Sequence, residues 1–310
     1  MRLAPIAYFA FNRPQHTRQT LAALAANPEA RDSALHIFVD GPRDPNDQEL
    51  VSLVAEIALR AEGFASISVH EAPVNKGLHR SIVEGVTSII NEAGQVIVVE
   101  DDILVSEFFL SYMNDALARF IDNAEVGSIH GYSPPISGLP QFFFLRGGDC
   151  WGWATWADRW GLLNIDANAL LDALSSRRLL TEFSSSHGKL SLLRLAQRAL
   201  GRNQSWAIVW HASLFLANRL TLHPGETFVR NIGNDGSGVH SAGSEDHLSA
   251  MRTTYAGIPH IPILNDPVAA HDLASRLDGL AGGGASAIVR RTLLSAYVTL
   301  VVHVAMAVRR

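Results

Sequence analysis

The sequence predicts an α/β fold, a mostly parallel sheet with helices on both faces. Three observations carry that expectation. Strand-like and helix-like runs alternate through the first hundred residues, the order that builds parallel sheets. Polar residues collect where the strand-like runs stop. Apolar content of 47% with 18% charged residues is that of a folded globular chain, and 310 residues suffice for one or two domains.

The first run, "LAPIAYFAF", is a strand that ends at Asn12-Arg13-Pro14. Pro5 and that ending fit a strand and loop better than a secretory leader. "HTRQTLAALAAN" follows as a helix, and "ALHIFVD" as a second strand stopped by Gly41-Pro42. "NDQELVSLVAEIALRAEG" places Asn46 as an N-cap with Glu49 three residues on, the pattern of a capping box. A third strand "ASISVHEAP", a third helix "HRSIVEGVTSIINEAG" and a fourth strand "QVIVVEDD" complete the half. Ligands of open parallel sheets bind outside the carboxyl ends of the strands. Those ends carry Asn12-Arg13, Asp40, Asn75-Lys76 and Glu100-Asp101-Asp102.

Beyond residue 105 the pattern changes. "SEFFLSYMNDALARFID" is a helix capped by Ser106, and "VGSIHGY" a strand. Residues 141–160 are dense in aromatics and glycines, and helices are expected near 167–182 and 187–200. The tail divides into a glycine-rich linker, 276–287, and an apolar helix, 288–310, bounded by arginine pairs. Its apolar stretch, 292–308, is at the short limit for spanning a bilayer. Thr292, Ser295, Thr299 and His303 form a polar stripe that suits a helix lying on a membrane surface or packed on a partner. A helix docked on its own domain is the competing expectation. The main domain is then 1–275, with one half to residue 105 and a second half, 106–275, after it.

A net charge of −5 argues against a nucleic-acid partner. Cys150 is the single cysteine, so no internal disulfide forms and a reducing, cytoplasmic setting is expected. Three adjacent carboxylates after a buried strand are costly unless paired, hydrogen-bonded or bound to a cation. A hard divalent ion, Mn2+ or Mg2+, prefers such oxygen ligands.

The segment "VIVVEDDILVSEFFLSYMNDAL" resembles the acidic-triplet segment of GT-A fold glycosyltransferases, with similarity to N-acetylglucosaminyltransferase I-like enzymes. "PIAYFAFNRPQHTRQTLAAL" is similar to the opening of bacterial family 2-like sugar transferases. "CWGWATWADRW" and "SWAIVWHASLFLANRLTLHPGETFVRNIGNDGSGVH" resemble their later segments, so the resemblance covers roughly residues 3–245 in order. It implies a GT-A (Rossmann-like) sheet and a metal-dependent, inverting transferase. The donor would be a nucleotide-sugar, UDP-linked by preference, and the acceptor a glycan or lipid-linked sugar of surface polysaccharide synthesis. An apolar tail on the inner face of the cytoplasmic membrane would suit a lipid-linked acceptor.

The same resemblance implies residue roles. Asp102 matches the direct metal ligand, and Glu100 and Asp101 the residues that position ribose and sugar. Arg13 with Asn12, and Asp40, match groups that hold base and ribose, while Lys76, His79 and Arg80 lie where nucleotide and phosphates are contacted. His240 is the second metal candidate. Trp151 and Trp153, with Trp206, are assigned to sugar contact because aromatic faces suit pyranose rings, and Trp156 to the core. Related sequences carry an aspartate after the tryptophan matching Trp206; here Ala207 stands there. Asp149, in a glycine-rich turn beside the aromatic segment, is the expected catalytic base, ahead of Asp235 and His211. Ala207 also favours the alternative, a degenerate GT-A protein that binds a sugar-nucleotide or acts as a scaffold. A sugar-nucleotide pyrophosphorylase would need a glycine-rich loop after the first strand, which "FNRPQHT" does not supply.

Overall fold

A computed structural model describes residues 3–186, 188–233, 250–277 and 285–307. The N-terminal part folds as β1 (Ile6–Ala10), α1 (Pro14–Ala25), β2 (Ala34–Val39), α2 (Gln48–Leu59), β3 (Ser66–Glu71), α3 (Leu78–Ala93) and β4 (Gln95–Glu100). Then come β5 (Ile103–Val105), α4 (Phe109–Phe120), β6 (Val126–His130), β7 (Phe142–Arg146) and β8 (Trp153–Trp156). A helical run follows: α5 (Ala157–Trp160), α6 (Ala167–Ser176), α7 (Leu180–Ser186), α8 (Lys189–Ala199) and α9 (Trp206–Leu216). The last elements are β9 (Leu220–Pro224), β10 (Val229–Asn231), α10 (Pro267–Leu277) and α11 (Ala285–Ala307).

The main sheet has eight strands in the order β3-β2-β1-β4-β8-β6-β9-β7. β1 to β4 are mutually parallel, and two antiparallel pairings through β8 return β6 and β9 to the same direction. β7 and β8 run against the rest, so the expected helix-flanked and mostly parallel sheet is the observed one. The carboxyl ends of β1, β2, β3, β4, β6 and β9 therefore share one edge with the start of β8.

Alternate residues of the central strands feed two cores, as a sheet covered on both faces requires. Ile6, Tyr8, Ile97 and Val99 pack with Leu21, Leu24, Phe109 and Met113 on one side. Ala7, Phe9, Val96 and Val98 pack with Ile82, Val86, Trp160 and Trp210 on the other.

Several local expectations change. The cap of α4 is supplied from a distance: Asn27 Oδ1 accepts the Leu110 N–H at 2.9 Å and its Nδ2 donates to the Ser106 carbonyl at 3.0 Å. Ser106 contributes backbone alone. Asn46 does not cap α2 either. Asp44 accepts the Asn46 N–H at 2.8 Å in a preceding turn, and Asp47 is gripped by Arg43. The helix expected over 167–182 is two helices, α6 and α7, broken at Arg178, which adopts φ +59°.

The C-terminal helix docks on its own domain. Val298, Val301, Val302 and Ala305 are buried with Leu192, Leu195, Val209 and Phe215 of α8 and α9, and Lys189 Nζ donates to Ser295 Oγ. His303 and Thr299 turn their polar atoms to the helix's own carbonyls. The side chain of Thr292 lies outside the described residues. Among the described residues no helix is long and apolar enough to cross a membrane. α10 continues to Leu277 and α11 starts at Ala285, and residues 278–284 of the predicted linker lie outside the described residues.

Candidate active site

The site is assembled where the strand ends meet. β1 delivers Asn12 and Arg13, β2 Asp40, β4 the acidic triplet, and α3 begins behind the loop 75–77. Arg13 Nη1 bonds Asp102 Oδ2 at 2.9 Å and lies 3.5 Å from Asp101 Oδ1. Asp101 also accepts the Phe11 N–H at 3.3 Å. One guanidinium thus faces three carboxylates. Burial, then the charges of Asp102 and Asp101, push the Glu100 carboxyl well above its usual range, although the Trp206 indole donates to it. Burial, then Asp102, raise Asp101 to about 7.

This surplus of negative charge is what a hard divalent cation relieves, and oxygen donors suit Mn2+ or Mg2+. Asp102 is the more exposed of Asp101 and Asp102, and a cation bound there would share or displace the Arg13 bond. The chain returns over Asp102 through Ile232, whose N–H donates to the Asp102 carbonyl at 2.8 Å, while His16 Nε2 lies 3.1 Å from the Ile232 carbonyl. Gly233 is required by that contact: a Cβ there would stand 2.5 Å from Asp102 Oδ2. His240 and Asp235 lie outside the described residues.

Asp40 sits at its predicted strand end, with both oxygens engaged by the next loop. It accepts from the N–H groups of Gly41 (2.9 Å), Lys76 (2.7 Å) and Gly77 (2.9 Å), and from Asn75 Nδ2 (3.1 Å). Its observed work is to shape the loop that leads into α3. Asn12 Nδ2 donates to Asp47 at 2.7 Å. Lys76 and Arg80 both pair with Glu84 on the surface. His79 is half-buried, held below its ordinary pKa by burial and by Arg198 of α8.

The glycine-rich turn has a geometric cause. β7 ends at the far edge of the sheet and β8 starts at the near edge, so residues 147–152 must run back between sheet and α9. A Cβ on Gly147 would lie 2.3 Å from the His211 ring, and one on Gly148 would lie 2.8 Å from Trp210. That path brings Asp149 to the site. Cys150 beside it has its thiol pushed well up by burial and by Asp149, Glu100 and Asp102, with Arg194 opposing. The turn and the triplet therefore share one electrostatic field. Asp149 Oδ1 accepts the Cys150 N–H at 2.8 Å, and its side chain is 28% exposed.

Two neighbours of Asp149 were missed from sequence. His130 at the end of β6 and His223 near the end of β9 are buried, and His130 Nδ1 is 3.6 Å from Asp149 Oδ2 and 3.2 Å from His223 Nδ1. Their signal was the one used for β1 to β4: both end strand-like runs at the carboxyl edge. His211, a weaker candidate base, is buried against Phe183 and the Gly148 carbonyl.

The tryptophans divide. Trp151 is half-buried and meets Tyr132 edge-on at 4.6 Å. Trp153 and Trp206 offer no ring face to a sugar, contrary to expectation. Trp153 is fully buried, with its centroid 5.3–5.7 Å from those of Trp160, Trp206 and Trp210. Burying four indoles between sheet and α9 gains more than exposing them, so period and composition could not single out the platform. Trp156 is core, as expected. Trp153→Ala is expected to cost about 3–5 kcal/mol of stability; a denaturant midpoint equal to wild type would contradict this packing role.

Titration of the buried groups has opposite signs. Burial holds His130 and His223 near 3 and His211 near 4. Unfolding takes up protons on these rings, so their stabilisation is complete above about 6.5 and is lost as pH falls towards 4. Asp101, raised from 3.8 to about 7, instead costs stability as pH rises through that window. Asp101→Asn in the absence of metal is therefore expected to raise the melting temperature at pH 8, by at most roughly 4 kcal/mol of stability, and to match wild type near pH 4. Calorimetric melts at the two pH values test it; a lower melting temperature for the variant at pH 8 would refute the assignment.

A cavity of about 570 Å³ opens elsewhere, at the far end of β7, where Arg146 pairs with Glu182. None of the candidate site residues lines it.

No family model matches the chain, and no curated protein matches it. Among solved structures, TarS from S. aureus shares 14% identity at a TM-score of 0.34, over 51% of this chain and 29% of that one. The chain thus spans less than a third of that protein's length. A mannosyltransferase from Pyrobaculum calidifontis, in complex with GDP-Man and Mn2+, shares 11% at 0.38, over 99% and 87% of the two chains. Glucosyl-3-phosphoglycerate synthase from Mycobacterium tuberculosis, in complex with Mn2+, UDP and glucosyl-3-phosphoglycerate, shares 10% at 0.32, over 57% and 67%. Likeness at this level assigns neither activity nor residues to this chain.

Proposed function

We propose that this protein is a metal-dependent, inverting GT-A glycosyltransferase. It moves a sugar from a nucleotide-sugar, UDP-linked by preference, to a glycan or lipid-linked acceptor in surface polysaccharide synthesis. The observation that carries the reading is the convergence at one sheet edge: an acidic triplet faced by Arg13, and a part-exposed carboxylate beside a half-buried tryptophan. Asp102 holds the cation, Mn2+ or Mg2+, which supplies charge for the departing diphosphate. Glu100 and Asp101 face ribose and sugar, and Arg13 keeps the triplet compact before a donor arrives. Trp151 provides the apolar face for the sugar. An acceptor hydroxyl oxygen bonds to the anomeric carbon as the bond to the diphosphate breaks; its proton passes to Asp149.

Ala207 supports a second reading, a degenerate protein that binds the donor without turning it over. Its side chain is part of the tryptophan cluster and has no acid–base chemistry. A screen of UDP-, GDP- and dTDP-sugars with Mn2+ separates the two. Metal-dependent release of nucleotide supports the transferase, stabilisation without turnover supports the binding protein, and no response to any donor refutes both. Contact with the inner membrane face belongs to this proposal only through the outward residues of α11, Tyr297, Leu300 and Val304, which are exposed.

A further inference from the structure

His130 is 1% exposed at the carboxyl end of β6, and its two ring nitrogens face two residues of the same turn. Nε2 accepts the Trp151 backbone N–H at 3.2 Å. A ring that accepts at Nε2 and is neutral carries its proton on Nδ1. That proton faces Asp149 Oδ2 at 3.6 Å and His223 Nδ1 at 3.2 Å. The ring is held in place on several sides. Tyr112 donates to the His130 carbonyl at 3.0 Å, and the His223 and Tyr132 rings meet the imidazole edge-on at 4.9 and 6.2 Å.

The same tautomer bears on a competing use of the cluster. His130, Asp149 and His223 offer ligand atoms within 4.8 Å of one another, the makings of a transition-metal site. A neutral imidazole that ligates through Nδ1 carries its proton on Nε2. There it would meet the Trp151 N–H head-on. The hydrogen bond to Trp151 therefore turns the His130 Nδ1–H towards His223 Nδ1 at 3.2 Å, with Asp149 Oδ2 next at 3.6 Å, and leaves no Nδ1 lone pair for a metal.

We propose that His130 is a positioning residue that sets Asp149 and Trp151 relative to each other, its Nδ1–H orienting the carboxylate and its Nε2 anchoring the tryptophan backbone. The proposal rests on the reading of Asp149 as base and Trp151 as sugar platform. Its content is the coupling: one imidazole fixes the separation between the group that removes a proton and the surface that holds the sugar. Small displacements of such groups cost large factors in rate.

Two substitutions divide the functions of the ring. The amide of asparagine reaches the place of Nδ1, and that of glutamine the place of Nε2. His130→Asn is expected to raise the donor KM about 10-fold, with a smaller loss of turnover than His130→Gln, while the Trp151 amide exchanges with solvent faster. His130→Gln is expected to keep the Trp151 amide protected and lose about 10-fold or more in turnover, with donor KM unchanged. Equal loss of turnover in both variants, or one amide exchange rate in wild type and both variants, would overturn the coupling. Failure of the base reading has a different signature: Asp149→Asn would then turn over like wild type, and the exchange measurement on Trp151 would still decide whether His130 anchors the turn.

Discussion

Asp102→Asn is expected to lower sugar transfer by about 10³-fold or more and to weaken Mn2+ binding measured by titration calorimetry without nucleotide. The substitution keeps the shape of the side chain and removes its charge. Arg13, which bonds Asp102 Oδ2 at 2.9 Å, keeps its contact with Asp101. Asp102 is also a leading cause, after burial, of the raised carboxyls of Glu100 and Asp101, so its neutralisation lowers both. The variant should therefore fold at least as well as wild type while losing the cation, which separates loss of chemistry from loss of structure. Wild-type turnover, or unchanged Mn2+ affinity, would remove Asp102 from the metal site.

Asp149→Asn is the second large effect. A positioned general base contributes about 10²–10⁴-fold, and that loss should fall on turnover with donor affinity preserved. Asp149 Oδ1 accepts one backbone N–H, a bond the amide oxygen of asparagine can take, which leaves its NH2 towards His130 Nδ1 in place of Oδ2. The side chain is part-exposed, so the change strands no buried charge. Undiminished turnover would exclude Asp149 as the base, and lost donor affinity would move it into the donor site.

The first hundred residues were legible because their signals are local. Alternating strand and helix runs, proline and glycine stops, and polar residues at strand ends identified β1 to β4 and placed Arg13, Asp40 and the triplet at one edge. The residues beyond 105 were harder to read. "WGWATW" carries three tryptophans in one motif, and sequence cannot say which ring is left half-exposed after packing. Trp153 and Trp206 were expected at the sugar and are buried in a cluster with Trp160 and Trp210, where Trp206 serves Glu100.

Local pattern by itself thus determined the class of fold, the edge that holds the site and the acidic triplet, since each depends on residues near one another in the chain. Only the tertiary structure decided that Asp149 faces His130 and His223, that Asn27 caps α4, and that α11 folds back onto α8. Those contacts join residues separated by 19, 74, 83 and more than a hundred positions. They follow from sheet order and from the return path of residues 147–152, which no local periodicity encodes.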